Sequence, residues 1–207
     1  MAGRHQAILL FGAPGVGKGT QGMLLGHIPG YCHLATGDMF RSLDKESPLG
    51  QQFLEYSSRG ELVPDELTIQ LWQQYVQQLI DEGKYNPQFD LLVLDGLPRS
   101  VNQAEVLRDY ADVLAVIHLD APDIEEMVER MKRRAIQQNR HDDADETVIR
   151  RRFQVFDRDT APVLQQYDPS IVYRVNAVGS PARVLLDVLQ ITVPVSESHY
   201  ANPLANA

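Results

Sequence analysis

An α/β fold built on a parallel sheet is what this sequence predicts, on three observations. Short runs at Ala7 to Phe11, Leu91 to Leu94, Val113 to Leu119 and Ile171 to Val175 are too uniformly apolar to keep one wet face. Such runs suit strands covered on both sides. Longer amphipathic segments lie between them, and alternation of strands with helices is the pattern of an α/β domain. The first run also passes straight into a glycine-rich loop, Gly12 to Thr20, before a helical segment begins.

Each helix has its own signal. Met23, Leu24, His27 and Ile28 follow the loop at helical spacing. Leu67, Leu71, Tyr75 and Leu79, with Trp72 and Val76 beside them, trace an apolar stripe whose first turn suits Pro64 and Asp65. Asp143 and Glu146 form a variant capping box for a helix with Ile149, Phe153 and Phe156 on its apolar side. Pro162 marks a break and a new helical start near Thr160. From about Thr192 the chain turns polar and aperiodic, which predicts a flexible tail over residues 192–207 after a single domain of residues 1–191.

Composition narrows the function. With 207 residues, 43% of them apolar, the chain can bury one sizeable core, and no apolar run approaches the roughly 18 residues of a membrane span. Its start does not read as a secretion signal, and the lone Cys32 allows neither an internal disulfide nor a thiolate metal cluster, so a cytoplasmic location is expected. A formal net charge of −9 argues against a nucleic-acid surface, which needs an excess of cations. Between Arg130 and Arg158, however, nine Lys and Arg face five Asp and Glu, so this segment carries +4 and the remainder −13. The cluster is either a solvated helical face or the seat of a small polyanion.

The loop favours the second reading. Gly12, Ala13, Pro14, Gly15, Val16, Gly17, Lys18, Gly19 and Thr20 follow a strand and open a helix. Glycines there let backbone N–H groups turn in on phosphate oxygens, the helix presents its positive end, and Lys18 adds a mobile charge. Gly19 departs from the usual pattern, which places Ser or Thr next to the lysine. Four further stretches stand out: ATGDMFR (Ala35 to Arg41), GELVPDEL (Gly60 to Leu67), LDGLPRSVNQAE (Leu94 to Glu105) and VNAVGSP (Val175 to Pro181). Taken alone, T-G-D is an ordinary helix start and VNAVGSP an ordinary strand-to-helix turn.

With these stretches the loop G-x-P-G-x-G-K-G-T resembles that of the nucleoside monophosphate kinases, and of the adenylate kinases most closely, over about Ala7 to Leu189. The resemblance implies a P-loop kinase fold of about five parallel strands, a helical acceptor flap at about residues 36–65 and a short lid at about 130–145. It implies a monomer that transfers phosphate from magnesium-bound ATP to AMP. The loop, Arg130, Arg134 and Gly179 would bind ATP. Thr36, Arg41, Glu61, Val63, Gly96, Arg99, Gln103, Arg140 and Arg151 would bind AMP, and Asp95 would hold magnesium through water. Lys18, Arg99, Arg134, Arg140 and Arg151 would carry the catalytic charge.

These roles agree with the chemistry of the residue types. A guanidinium is a planar fork suited to phosphate, and Arg130 and Arg134 share one helical face. The Gln103 carboxamide can donate to a ring nitrogen and accept from an exocyclic amine, as adenine requires. Only the resemblance selects Arg151 over Arg150 and Arg152. Leu97 stands where many relatives have Phe, and Asn139 where the lid motif has Gly. Five residues between Arg134 and Arg140 leave room only for a short lid, and one cysteine cannot build the zinc site of the long-lid branch, so no structural zinc is expected. The alternatives are a UMP/CMP-type kinase, against which Thr36 and Gln103 argue, and a nucleotide switch, whose N-K-x-D guanine motif the sequence lacks.

Overall fold

The computed structural model describes residues 4–121, 123–138 and 145–200. At its centre is a five-stranded sheet of β1 (His5–Phe11), β2 (Tyr31–Ala35), β3 (Leu91–Asp95), β4 (Ala111–Asp120) and β5 (Val172–Asn176). The order is β2-β3-β1-β4-β5, and every neighbouring pair is parallel. This is the parallel α/β sheet that the apolar runs predict, except that β5, at the edge, buries only Val175 and is not covered on both sides. β2 had no run of its own, because its sequence YCHLA, at the sheet's edge, buries only Tyr31 and Leu34 and leaves Cys32, His33 and Ala35 half-buried.

Flanking the sheet are α1 (Lys18–Leu25), α2 (Thr36–Arg41), α3 (Pro48–Ser58), α4 (Asp65–Asp81), α5 (Val101–Leu107), α6 (Ile124–Gln138), α7 (Glu146–Val155) and α8 (Pro181–His199). A π-turn (Phe156–Thr160) and a 3-10 turn (Ala161–Gln166) follow α7, so the break at Pro162 takes that form. Strand side chains alternate between faces, and the core divides accordingly. Ala7, Leu9 and Phe11 of β1 join Trp72, Val76 and Leu79 of α4 on one face. Ile8 and Leu10 join Met127, Met131, Ile149, Val184 and Val188 on the other. With β3 and β4 on opposite sides of β1, the strand order reverses at the carboxyl end of β1. That is where an open α/β sheet leaves a crevice.

Three local expectations are corrected. α1 stops at Leu25, so His27 and Ile28 lie in the turn after it. The cap of α7 is Asp145, whose carboxylate accepts from the Thr147 N–H at 2.7 Å, whereas Asp143 lies outside the described residues. α8 continues through Thr192 to His199 instead of giving way to a loose tail. Thr192 is fully buried and takes the hydroxyl of Tyr31 at 3.4 Å, and Val195 and Tyr200 pack against the core. Among the described residues, no helix is long and apolar enough to cross a membrane.

Candidate functional site

The crevice is a cleft of about 910 Å³ that runs from the glycine-rich loop to the flap helices. Its floor is the loop between β1 and α1. Gly12 has φ 142°, and a Cβ there would stand 2.4 Å from the Leu119 carbonyl, so only glycine fits. Every loop residue except Ala13 lines the cleft. Ala13 contributes its carbonyl: the Lys18 ammonium donates to Gly12 O at 2.7 Å and Ala13 O at 3.0 Å. Burial pushes Lys18 down to about 8, against the pull of Asp95 and with help from the charges of Arg99, Arg134 and Arg152. A lysine held this way gains from a bound anion.

Asp95 closes β3 beside the loop. Burial opposes its ionisation, but His33, Lys18 and Arg99 together outweigh that and hold the carboxyl below its usual range. His33 Nε2 stands 3.9 Å from Asp95 Oδ2, beyond direct hydrogen bonding, and this buried atom has no hydrogen-bond partner among the described residues. A water between the two would satisfy both. No three His, Cys, Asp or Glu side chains of the described residues gather around a point. A cation here would therefore be held by one carboxylate, water and ligand oxygens, the mode that suits magnesium.

The arginines line one wall. Arg130, Arg133 and Arg134 of α6 and Arg152 of α7 all face the cleft. Arg130 is paired with Glu126 at 2.5 Å. Arg151 is a correction: it lines a separate surface groove with Glu146, Thr147, Arg150 and Gln154, and its guanidinium donates to Gln154 Oε1 at 3.4 Å. Arg152 takes its place for a helical reason. It lies three residues from Ile149 and from Val155, on the face turned to the protein, whereas Arg151 shares the outer face with Thr147 and Gln154. Arg140 and Asn139 lie outside the described residues.

At the far end the cleft is lined by Thr36, Arg41, Glu61, Val63, Gly96, Arg99 and Gln103, and Gly179 borders the loop end. The Thr36 hydroxyl donates to the Gly96 carbonyl at 2.9 Å. Gly96 has φ 82°, and a Cβ there would meet both Thr36 Oγ1 and Arg99 Nη2 within 2.7 Å, so glycine lets the two side chains converge. Arg99 Nε donates to the Gly96 carbonyl at 2.8 Å, and Arg41 pairs with Asp38 at 2.6 Å. Gln103 is 1% exposed yet borders the cleft. Arg152, His33 and Asp65 escaped sequence reasoning. The last, which holds Gln103 at 2.7 Å, carried a signal only as a helix-start residue.

A family model described as "Adenylate kinase" matches residues 10–172 of the chain. Among curated proteins, the adenylate kinase of Flavobacterium johnsoniae is 39% identical over 180 residues, covering 84% of this chain and 90% of that protein. That of a Cyanothece species is 40% identical over 167 residues, 77% of this chain and 80% of its own. That of Thermus thermophilus is 34% identical over 186 residues, 86% and 92%. Phosphate loop, arginine wall and likeness along most of the chain lead to one conclusion: this chain belongs to the adenylate kinase family.

Proposed function

We propose that the chain catalyses reversible transfer of the γ-phosphoryl group of magnesium-bound ATP to AMP, giving two ADP. The observation that carries this reading is a single cleft with a phosphate loop at one end and the buried amide of Gln103 at the other. Lys18, Arg99, Arg134 and Arg152 line the same cleft, and the charges of the three arginines reach Lys18. Phosphoryl transfer between two nucleotides needs no side-chain nucleophile, because the acceptor phosphate attacks. Its transition state spreads charge over the equatorial oxygens, so positioning and fixed cations do most of the work.

The loop and Lys18 would hold the donor phosphates, with Arg130 and Gly179 towards the donor adenosine. Arg41 and Arg99 would grip the acceptor phosphate, and Thr36, Val63 and the backbone of Glu61 and Gly96 would surround its nucleoside. Arg134 and Arg152 would stabilise the group in transit, with Arg140 of the lid segment assigned the same task. Asp95 would hold magnesium through water, and Thr20 lies in the same cleft. When bound, the ion would offset the charge of the donor phosphates. Water is a competing acceptor, so the flap at about residues 36–65 and the lid at about 130–145 are assigned to close before transfer. We assign the enzyme to the cytoplasm, as a monomer.

The test is a coupled assay of ADP formation with AMP, CMP, UMP and GMP as acceptors. AMP should be preferred by at least about a hundredfold in kcat/KM, since a site built to hydrogen-bond one base edge rejects others strongly. Equal use of CMP or UMP would replace the reading with a pyrimidine kinase. Nucleotide binding without AMP-dependent turnover would replace it with a switch.

A further inference from the structure

Gln103 is a symmetric-looking amide asked to make an asymmetric choice. A 6-aminopurine offers an acceptor at N1 and a donor at its exocyclic amine, whereas a 6-oxopurine offers the reverse. An amide rotated by half a turn would suit the second as well as its present orientation suits the first. Something must hold it.

Two neighbours do so. Gln103 Oε1 accepts from the backbone N–H of Arg99 at 2.7 Å, and Gln103 Nε2 donates to Asp65 Oδ1 at 2.7 Å. A backbone N–H can only donate and a carboxylate can only accept, so rotation would set donor against donor and acceptor against acceptor. One N–H and one lone pair of the amide remain for the cleft. Asp65 is itself fixed. It opens α4, and its Oδ2 accepts from Ser100 Oγ at 2.8 Å and Asn102 Nδ2 at 3.0 Å. Ser100 also caps α5, accepting from the Gln103 N–H at 3.0 Å.

We propose that Asp65 is a positioning residue for acceptor specificity: it locks the Gln103 amide in the orientation that takes a 6-aminopurine monophosphate and rejects a 6-oxopurine one. This rests on the reading of the Gln103 end of the cleft as the acceptor pocket, and it adds a residue that need not touch the substrate.

Asp65→Asn makes the sharpest test. Ser100 and Asn102 both donate to the Oδ2 position, so the new amide keeps its oxygen towards them and turns its NH₂ towards Gln103. Gln103 is then drawn to rotate, opposed only by the Arg99 N–H. Expected is a fall of at least about tenfold in the ratio of kcat/KM for AMP to that for IMP, because a buried mismatch is removed on one side and created on the other. KM for AMP should rise while KM for ATP stays within twofold, which a general loss of structure would not produce. Asp65→Ala, which removes the lock without inserting a donor, should lower the ratio by a smaller factor, read also by calorimetric binding of AMP and IMP. An AMP to IMP ratio unchanged within twofold in both folded variants overturns the proposal while leaving the kinase reading intact. Failure of the wild-type protein to distinguish AMP from IMP overturns both.

Discussion

At the scale of residues, one step along a helix decides which cation takes part. Arg150, Arg151 and Arg152 are adjacent in sequence but about 100° apart around α7. Only Arg152 reaches the cleft. Arg152→Ala should therefore lower kcat by about a hundredfold or more, the usual cost of removing one well-placed transition-state donor. Arg151→Ala should stay within about threefold, and the reverse ranking in a steady-state assay would restore Arg151 to the site. The three-residue arginine run hid this choice, although the spacing from Ile149 to Arg152 to Val155 would have selected the inward face. The loop residues were legible because each has a local task, whereas Asp65 works through Gln103, a partner 38 positions away. Lys18 gives a second prediction. Its ammonium titrates near 8 without ligand, and a bound polyphosphate favours the charged form. Binding of ATP at pH 8.5 should therefore take up protons, and affinity should weaken as pH rises above about 8. The sign for folding follows from the same depression: the unfolded chain binds more protons between about 8 and 10.5, so nucleotide-free stability from this group rises with pH across that window. Calorimetry in two buffers of different ionisation enthalpy measures the uptake, and Lys18→Met should abolish it.

At the scale of elements, the buried strands and α4 could be read from periodicity, while β2 and the end of α8 could not. The end of α8 was hidden by a polar residue that becomes buried by finding a partner, and β2 by its half-buried positions at the sheet's edge. In α8, Val184, Val188, Thr192 and Val195 form a continuous stripe at spacings of four, four and three residues. The stripe is broken to the eye because Thr192 counts as polar. Its hydroxyl accepts from that of Tyr31 in β2. Pro194 lies inside this helix, which continues around it. A chain ending at Ile191 should therefore lose stability rather than shed an idle tail. Losing the contacts of Thr192, Val195 and Tyr200 should cost about 2 kcal/mol or more. For a domain of this size that is a fall of roughly 4–8 °C in Tm. Thermal unfolding followed by circular dichroism checks it, and a change under about 1 °C would mean that this end of α8 contributes nothing. Because these residues lie on the side of the sheet away from Gln103 and Arg99, kcat at 25 °C should change little.

At the scale of the whole molecule, an acidic chain of net charge −9 encloses a cationic cleft. The two signs are separated by the fold itself. The sheet order brings the loop after β1 and Asp95 of β3 to one rim, and α6 and α7 carry the arginine-rich segment back over it. Cations gathered at one cleft repel one another, as the arginine contribution to the lowering of Lys18 records. The nucleotide-free protein therefore carries an electrostatic cost that polyphosphate should relieve, and two nucleotides joined as one molecule should relieve most. A mimic with two adenosines linked by five phosphates, present at about a thousand times its Kd, should stabilise the fold by about 4 kcal/mol through mass action alone. Tm should then rise by roughly 8–16 °C. At that same mimic concentration, Arg99→Ala should show a clearly smaller shift, because one of the groups that meet the phosphates is gone. High salt should shrink the wild-type shift through screening. A shift that is equal in the variant and indifferent to salt would place the binding energy in the adenosine pockets and remove the cationic cleft from its central role.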